Sequence, residues 1–475
     1  MASLSYEEAA HLLRRAGFGG TPDEIEALSS RGREGAVDFL INYAQIDNRA
    51  MEDLLAASFD FTDPKDVNNG EIRRWWFTRM FNTKRQFEEK MTLFWHNHFA
   101  TSSSKVQDFF MFNQNNLLRA NVVGKFDDLL LRVSQDAAML IWLDNITNVL
   151  GSANENFGRE LQELFTMGIN DVVTGDPNYT EQDVKEVARC FTGWSYQRRP
   201  PFPFQLNANQ HDNGSKTIFA NTPWQTSGNL DGDDVISVIA GRPATARYLT
   251  WKLFNFFVYP VTGTSADKAT IDKFSKIYLN NNHSIKELVR AIFTSDEFFS
   301  ERALFSLVKQ PVEIVVGAVR MLGGTYNPGT PGNRGGGVSV PPTSSRNMGQ
   351  DLFGPPDVAG WDFNLGWVNT ASMLERFNYT NAFVTNRNAN GLGAIVTVNQ
   401  LRVYTRSSTK KTVKQFFSAL GPLSPGSATR KKLQAYLETG DNGQPVGFTN
   451  DDATIDKKVR GLVHQIMCLP EFQLN

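Results

Sequence analysis

The sequence SYEEAAHLLRRAGFGGTPDEIEALS, residues 5–29, contains the start signals of two consecutive α-helices. Ser5 followed by Glu8 forms a capping box, in which each side chain satisfies a backbone amide that the first helical turn leaves without a partner. Thr21 and Glu24 repeat the pattern, and the proline between them takes the first helical position, where a missing N–H costs nothing. Glycines end the first helix. The chain therefore begins with two well-delimited helices.

Similar segments recur along most of the sequence, including predicted helices near 84–98, 154–167 and 243–257. We find no regular alternation of strand and helix, so a parallel sheet with crossover helices is disfavoured. The sequence predicts a mainly α fold, built as a large multi-helix globular domain.

Two stretches depart from the helical pattern. In 201–220, two runs rich in β-forming residues flank Asn213-Gly214, a pair that tolerates the positive φ angles of a tight hairpin turn. This predicts a projecting two-stranded β-hairpin. The segment Gly323–Gly349 is rich in Gly and Pro and predicts a long exposed loop. The predicted organisation is a helical region at 1–200, a hairpin insertion at 201–230 and a helical region at 231–475, with the two helical regions forming one globular unit.

Composition excludes several classes of protein. The 475 residues carry 48 Lys or Arg and 50 Asp or Glu, so the chain lacks the basic excess that a nucleic-acid partner requires. No apolar run approaches the ~20 residues of a membrane-spanning helix, and two cysteines make no disulfide scaffold. The first residues show no apolar signal segment, so the sequence as written predicts a soluble, cytoplasmic protein.

The 35 Phe and 9 Trp predict an aromatic core, with an exposed aromatic binding groove as the alternative.

The first candidate for chemistry is Trp95-His96-Asn97-His98-Phe99. At about 100° per residue, a continuous helix places His98 within the apolar stripe formed by Phe87, Met91 and Phe94, and His96 on roughly the opposite side. On such a helix the two imidazoles do not share a metal ion. A buried, hydrogen-bonded His98 is favoured, and a helix break near residue 96 would be needed for joint ligation.

The second candidate is the segment 154–164, in which Asn154 is a helix N-cap and Glu155 and Arg159 form an ion pair one turn apart. Glu160 lies at the border of the buried stripe, and Glu163 points further outward. A border carboxylate beside a buried histidine suits a metal site or general acid–base chemistry, and equally an ordinary buried ion pair.

His211 lies near the predicted hairpin turn, where a turn-forming role for its neighbours is favoured. If the hairpin folded back over the helices, His211 would join His98 and Glu160 in a set suited to a divalent first-row metal.

The segment 352–361, with Gly354-Pro355-Pro356 and Trp361, is predicted to be a structural loop anchored by tryptophan, with a ligand-facing aromatic wall as the alternative.

The order and spacing of these motifs resemble one family of bacterial proteins, the domain-of-unknown-function family numbered 1800. The matching stretches are His11–Gly19, Lys90–Ser102, Asn154–Gly168, Tyr179–Trp194, His211–Lys216, Arg242–Lys252, Lys309–Leu322 and Met348–Asn378. The resemblance implies a single family unit over nearly the whole chain. It implies no activity, and it makes an extracytoplasmic location the alternative to a cytoplasmic one. Arg242 stands where the family commonly has His.

Two functional hypotheses follow. The favoured one is a binding or assembly protein for an unidentified protein or polymer partner, in which the His, Glu and Arg residues form a buried structural network. The alternative is a metal-dependent hydrolase. Its ion would be held by His98 and Glu160, with His96, Glu163 and His211 as further ligands, and Glu160 and Arg159 would be catalytic. Phosphate-loop, nucleophile-elbow and zincin motifs are absent from the sequence.

Overall fold

The computed structural model describes residues 3–387 and 391–475, and it is mainly helical, as predicted. Both capping boxes quoted above are present. The Ser5 Oγ accepts the amide of Glu8 at 3.1 Å, and the Thr21 Oγ1 accepts that of Glu24 at 3.3 Å. In this described part of the chain, no helix has the length and apolar character needed to cross a bilayer.

The chain folds into two compact units. The first comprises Met1–Lys90, Phe299–Leu352 and Asp362–Asn475, and the second comprises Met91–Phe298 and Phe353–Trp361. The predicted division at residues 200 and 230 remains a prediction.

The first unit is mainly helical. Its α-helices are Tyr6–Arg15, Pro22–Ser29, Gly32–Ile41, Arg49–Ser58, Asn69–Asn82, Pro311–Met321, Val340–Asn347, Thr370–Thr385, Val398–Tyr404, Thr409–Ala419, Ser427–Leu437, Asp452–Thr454 and Arg460–Met467. Short 3₁₀ turns lie at Tyr43–Gln45, Gly336–Ser339, Asn364–Trp367 and Pro470–Gln473, and a π-helical turn at Ile455–Val459. Strands Thr325–Asn327 and Gly393–Ile395 form an antiparallel pair.

The second unit is also helical. Its α-helices are Asp108–Ala120, Phe126–Ser134, Ala137–Trp142, Glu155–Glu160, Glu181–Cys190, Gly232–Ala240, Pro243–Phe257, Ser265–Asn280 and Ile285–Thr294, with a π-helical turn at Leu161–Thr166 and 3₁₀ turns at Asn145–Thr147 and Ala208–Gln210. The helix Gln86–His98 has its last residues, from Met91, in this unit.

Small antiparallel hairpins are present, as the predicted fold class requires, but the strand partners differ from those expected. Phe204–Leu206 pairs with Trp194–Tyr196, and Lys216–Ile218 pairs with Thr226–Gly228. Asn213-Gly214 thus joins strands of two different hairpins. At Asn213-Gly214 itself, the Asp212 Oδ1 accepts the Gly214 amide at 2.8 Å and closes a side-chain turn.

The Gly- and Pro-rich segment 323–349 is more regular than expected. It supplies one strand of a hairpin and the helix Val340–Asn347, which has Pro341 in its first turn. Proline is compatible with that position because its amide would have no partner there. Pro341 and Pro342 are both buried.

Aromatic side chains fill the interior, in line with the favoured interpretation of the composition. Six of the nine tryptophans are buried, and none of the nine, all of which lie in the described residues, is fully exposed. In the second unit the rings of Trp95, Phe99 and Phe126 stack on one another at centroid distances of 5.7 to 6.3 Å. These contacts surround the end of the helix that carries the two histidines.

Candidate functional site

The helix Gln86–His98 continues to His98 without a break, so its two histidines meet different neighbours. His98 is buried, as predicted, and its Nε2–H donates to the carbonyl of Phe165 at 2.9 Å. Its ring stacks on Phe94 at 5.9 Å and contacts Phe99 edge-on at 4.6 Å. Burial lowers the pKa of His98 to about 3, and the nearby charge of Lys252 acts in the same direction. His98 is therefore neutral at physiological pH.

His96 is also buried, which its position opposite the apolar stripe did not predict. The amide of Phe353 donates to its Nε2 at 3.2 Å, and the rings of Phe353 and Trp361 lie 5.3 and 5.4 Å away. The segment Phe353–Trp361 thus covers the side of the helix that would otherwise face solvent. Burial lowers the pKa of His96 to about 3.

Asn97 attaches the same segment at its other end. Its Oδ1 accepts the amide of Trp361 at 2.6 Å, and Gly360, with φ +91°, lies against its side chain and carbonyl. Together, His96 and Asn97 accept hydrogen bonds from two backbone amides of an irregular segment. Buried polar side chains are normally hydrogen-bonded in this way. The predicted structural role of 352–361 agrees with these contacts.

The second candidate segment contains an irregular helix. Asn154 caps it as predicted, accepting the amide of Asn156 at 3.0 Å, and the helix Glu155–Glu160 then widens into the π-helical turn Leu161–Thr166. The Met167 amide donates to the carbonyl of Gln162, five residues earlier, at 3.0 Å. A π-helical turn changes the angular spacing of its side chains from that of an α-helix, and such turns are frequent at functional sites.

The charged residues of this segment bind to different partners. Arg159 forms the predicted pair with Glu155 at 3.3 Å and a bidentate pair with Glu181, both bonds being 2.8 Å long. Glu163 accepts the hydroxyl of Tyr179 at 2.9 Å. Glu160 is half-buried, and its pKa is raised first by burial and then by the charge of Glu163, with Arg159 opposing both effects.

His211 lies at a third place. It is buried, and its Nδ1–H donates to the carbonyl of Thr192 at 2.9 Å, while its neighbour Asp212 pairs with Arg189 at 2.7 Å. These contacts hold the hairpin connection to the end of the helix Glu181–Cys190. The three histidines of the predicted set are thus each bonded to a different backbone group.

Nowhere in residues 3–387 and 391–475 do three or more His, Cys, Asp or Glu side chains group so that they could hold a metal ion. Sites for first-row metals normally use at least three protein ligands. The predicted set of His96, His98, Glu160, Glu163 and His211 stays a prediction, which direct metal analysis can test.

Lys252 and Tyr248 lie near this segment and are not among the predicted site residues. Burial lowers the pKa of Lys252 to about 8, and its ammonium lies 5.5 Å from the ring of Tyr248, one helical turn earlier. The pKa of Tyr248 is raised by burial and by the charge of Glu163. The signal in the sequence was a Tyr and a Lys four residues apart in the stretch Arg242–Lys252, but nothing local indicated their proximity to His98 or Glu163.

A second buried charged group, also missed, lies in the first unit. Lys90 contacts Glu313 and donates to the carbonyl of Gly17 at 3.1 Å. Lys309, whose pKa burial lowers well below its usual value, donates to the carbonyl of Phe472 at 2.6 Å. Arg376 donates to the carbonyl of Lys309 at 2.8 Å. Each of these three cations donates to a backbone carbonyl, and Lys90 also pairs with the Glu313 carboxylate, which is how a core retains charged side chains.

Comparison with known proteins places the chain in one family. The family described as "Protein of unknown function (DUF1800)" matches residues 11–474, which is nearly the whole chain. The protein therefore belongs to this DUF1800 family, in agreement with the resemblance found in its motifs. No curated protein and no solved structure gives a significant match.

Proposed function

We propose that this protein is a non-catalytic binding protein, which docks a protein partner through the exposed apolar segment 363–374 and uses its buried histidines to fix its fold. The observation that carries the proposal is the clustering of large apolar side chains in that segment. Clustered apolar exposure is typical of interaction sites, whereas isolated apolar residues on a surface need no explanation.

Four of the ten large apolar residues exposed in the described part of the chain lie within these twelve positions. Leu365 is 73% exposed and Leu374 is 61% exposed, and Phe363 and Val368 accompany them. Leu365 lies in the 3₁₀ turn Asn364–Trp367, which Phe363 and Val368 flank, and Leu374 lies in the helix Thr370–Thr385, while Trp367 of the same segment is buried. Apolar side chains on a segment anchored by a buried tryptophan suit a protein interface, because docking then has to order fewer groups.

The contacts of the candidate site support a structural role for the histidines. His98 and His96 are neutral, buried among aromatic rings and bonded to the backbone of Phe165 and Phe353. Arg159 is already paired with two carboxylates, which reduces its capacity to bind an anionic substrate. These features favour a buried network that sets the fold over a site that turns over a substrate.

The interface is tested with Leu365→Asp and Leu374→Asp. Each change places a charge at an exposed position, so the thermal unfolding temperature should stay the same. The partner is first isolated from the native host by cross-linking to the wild-type protein, and each variant should then fail to bind it. Val403→Asp is the matched control, because Val403 is 63% exposed but lies outside the segment. Loss of the partner in the control variant, or retention in both segment variants, would refute this interface.

The hydrolase alternative is tested by elemental analysis of protein purified without a nickel column and then supplied with zinc, manganese or iron. We expect metal well below one equivalent. A full equivalent that disappears in His98→Gln, and also in Glu160→Gln, would support the metal site and contradict the structural role.

A further inference from the structure

A strongly basic stretch lies in the C-terminal part of a chain whose net charge is only −2. Between Glu375 and Glu438 there are ten Lys or Arg residues and no Asp or Glu. Six of the ten belong to two helices, Thr409–Ala419 and Ser427–Leu437. A local excess of one sign creates a field that attracts the opposite charge even when the whole protein is nearly neutral.

These two helices and the loop between them line an open cavity of about 370 Å³. Its apolar wall consists of Val413, Phe417 and Leu423, each of which keeps a small exposed edge, and of the half-buried Pro422. Cavities of small-molecule sites begin at about 300 Å³ and combine an apolar lining with a few polar groups. This cavity has both properties.

Three cations line the same cavity, namely Lys410, Lys414 and Arg430, and each is exposed. The Nε of Arg430 donates to the carbonyl of Pro425 at 2.9 Å, which holds the guanidinium beside the loop. Lys410 and Lys414 lie one turn apart on a single helix, and like charges at that spacing repel each other. A bound anion would relieve this repulsion.

Of the described residues that line the cavity, one is acidic: Glu7, in the first turn of the helix Tyr6–Arg15. Glu7 offsets part of the positive charge and leaves a net excess of two. A carboxylate in this position would also repel an incoming anion. Removing its charge should therefore strengthen anion binding, whereas removing one of the cations should weaken it.

We propose that this cavity binds a small monocarboxylate with an apolar tail. The carboxylate would lie among Lys410, Lys414 and Arg430, and the tail would pack against Val413, Phe417 and Leu423. Charge complementarity selects the anion, and the apolar wall distinguishes such a ligand from a fully hydrated ion such as phosphate. The site shares no residue with segment 363–374, so it extends beyond the proposed protein interface.

The probe is octanoate, titrated into the full chain by isothermal calorimetry. We expect one site per chain. Octanol, which has the tail without the charge, and acetate, which has the charge without the tail, should each bind at least about tenfold more weakly, because each loses one of the two interactions. Equal binding of octanol and octanoate, or no octanoate binding, would overturn the proposal.

Variants locate the site. Arg430→Gln and Lys414→Gln should each weaken octanoate binding about tenfold, whereas Lys431→Gln and Lys411→Gln, which change neighbouring lysines that do not line the cavity, should leave binding within about twofold. Glu7→Gln should tighten binding, a result that damage to the fold does not produce. Equal losses in the lining and control variants would instead indicate general surface charge and would refute the site.

Discussion

Asn97 illustrates how one polar side chain can hold a distant segment of the chain. It lies between two histidines that attract attention as metal ligands, yet its own Oδ1 accepts the amide of Trp361 and its carbonyl lies close to Gly360. A Cβ added to Gly360 would lie 2.2 Å from that Oδ1 and 2.6 Å from the carbonyl oxygen. The glycine is therefore required both by the close approach and by its positive φ.

Gly360→Ala should lower the free energy of unfolding by about 3 kcal/mol, because the clash adds to the cost of a positive φ. Urea denaturation monitored by tryptophan fluorescence measures the loss. Gly332→Ala is the control, since Gly332 has φ +80° but nothing within 4 Å of the added Cβ. The control should cost about 1 kcal/mol. Equal losses in the two variants would show that the contact with Asn97 contributes nothing.

The contrast between His96 and His98 marks what local sequence could and could not predict about single side chains. Helical periodicity correctly separated the two imidazoles and predicted burial of His98. It missed the burial of His96, because the segment that covers this residue begins at Phe353, more than 250 positions along the chain. The partners of Glu163 and Lys252 were missed for the same reason, since side-chain periodicity contains no information on which element packs against which face.

Helices were more predictable than the segments between them. Capping boxes depend on residues three positions apart, so Ser5, Thr21 and the N-cap Asn154 could be identified from sequence alone. The pairing of strands depends on residues further apart, and the Asn213-Gly214 signal led to the wrong partners. The π-helical turn at Leu161–Thr166 also had no signal that we recognise, and it altered the spacing from which the orientation of Glu163 was predicted.

The helix Pro311–Met321 begins at a buried carboxylate with three roles. Glu313 accepts the amide of Gln310 at 2.7 Å, accepts the side-chain amide of Asn475 at 2.8 Å, and faces the ammonium of Lys90. Burial lowers the pKa of Lys90, and the charge of Glu313 opposes this effect. Removing the carboxylate leaves Lys90 buried with its bond to the Gly17 carbonyl but without the opposite charge of Glu313.

Glu313→Gln should therefore destabilise the protein by about 3–5 kcal/mol. Lys90→Met in the same background should recover part of the loss, so that the double variant is more stable than the sum of the single changes implies, with a coupling free energy of about 1–3 kcal/mol. Chemical denaturation of the four proteins gives this coupling. Strict additivity would mean that the two side chains act independently and that the capping role of Glu313 alone explains its effect.

Across the whole chain, helix start signals correctly predicted a mainly helical fold and composition correctly predicted an aromatic-rich interior, but the net charge concealed how charge is distributed. The near-neutral total of 48 cations and 50 anions includes both the acid-free stretch before Glu438 and the buried cations around Glu313. A net charge describes neither, because it averages over regions of opposite sign. The local electrostatics of this protein therefore have to be derived from its packing.

Global stability should depend on pH through the two buried histidines. Their folded-state pKa of about 3 lies below the unfolded value of 6.5, so between these values the unfolded chain binds protons that the folded protein does not. The contribution of neutral His98 to stability is full above about pH 6.5 and is lost as the pH falls, at about 1.4 kcal/mol per pH unit. Protonation of His96 would, in addition, place a proton on the Nε2 that accepts the Phe353 amide, so that two donors would face each other and the hydrogen bond would be lost.

His98→Gln tests this dependence, because the Gln side chain can donate to the Phe165 carbonyl but does not titrate. The stability difference between wild type and His98→Gln should narrow by about 2 kcal/mol between about pH 7.5 and about pH 5. Leu161→Ala, which removes a buried apolar side chain of the same unit, should instead keep a constant difference over this range. A difference that is equally constant for His98→Gln would mean that the imidazole is protonated in the folded protein and is therefore not sealed in the core.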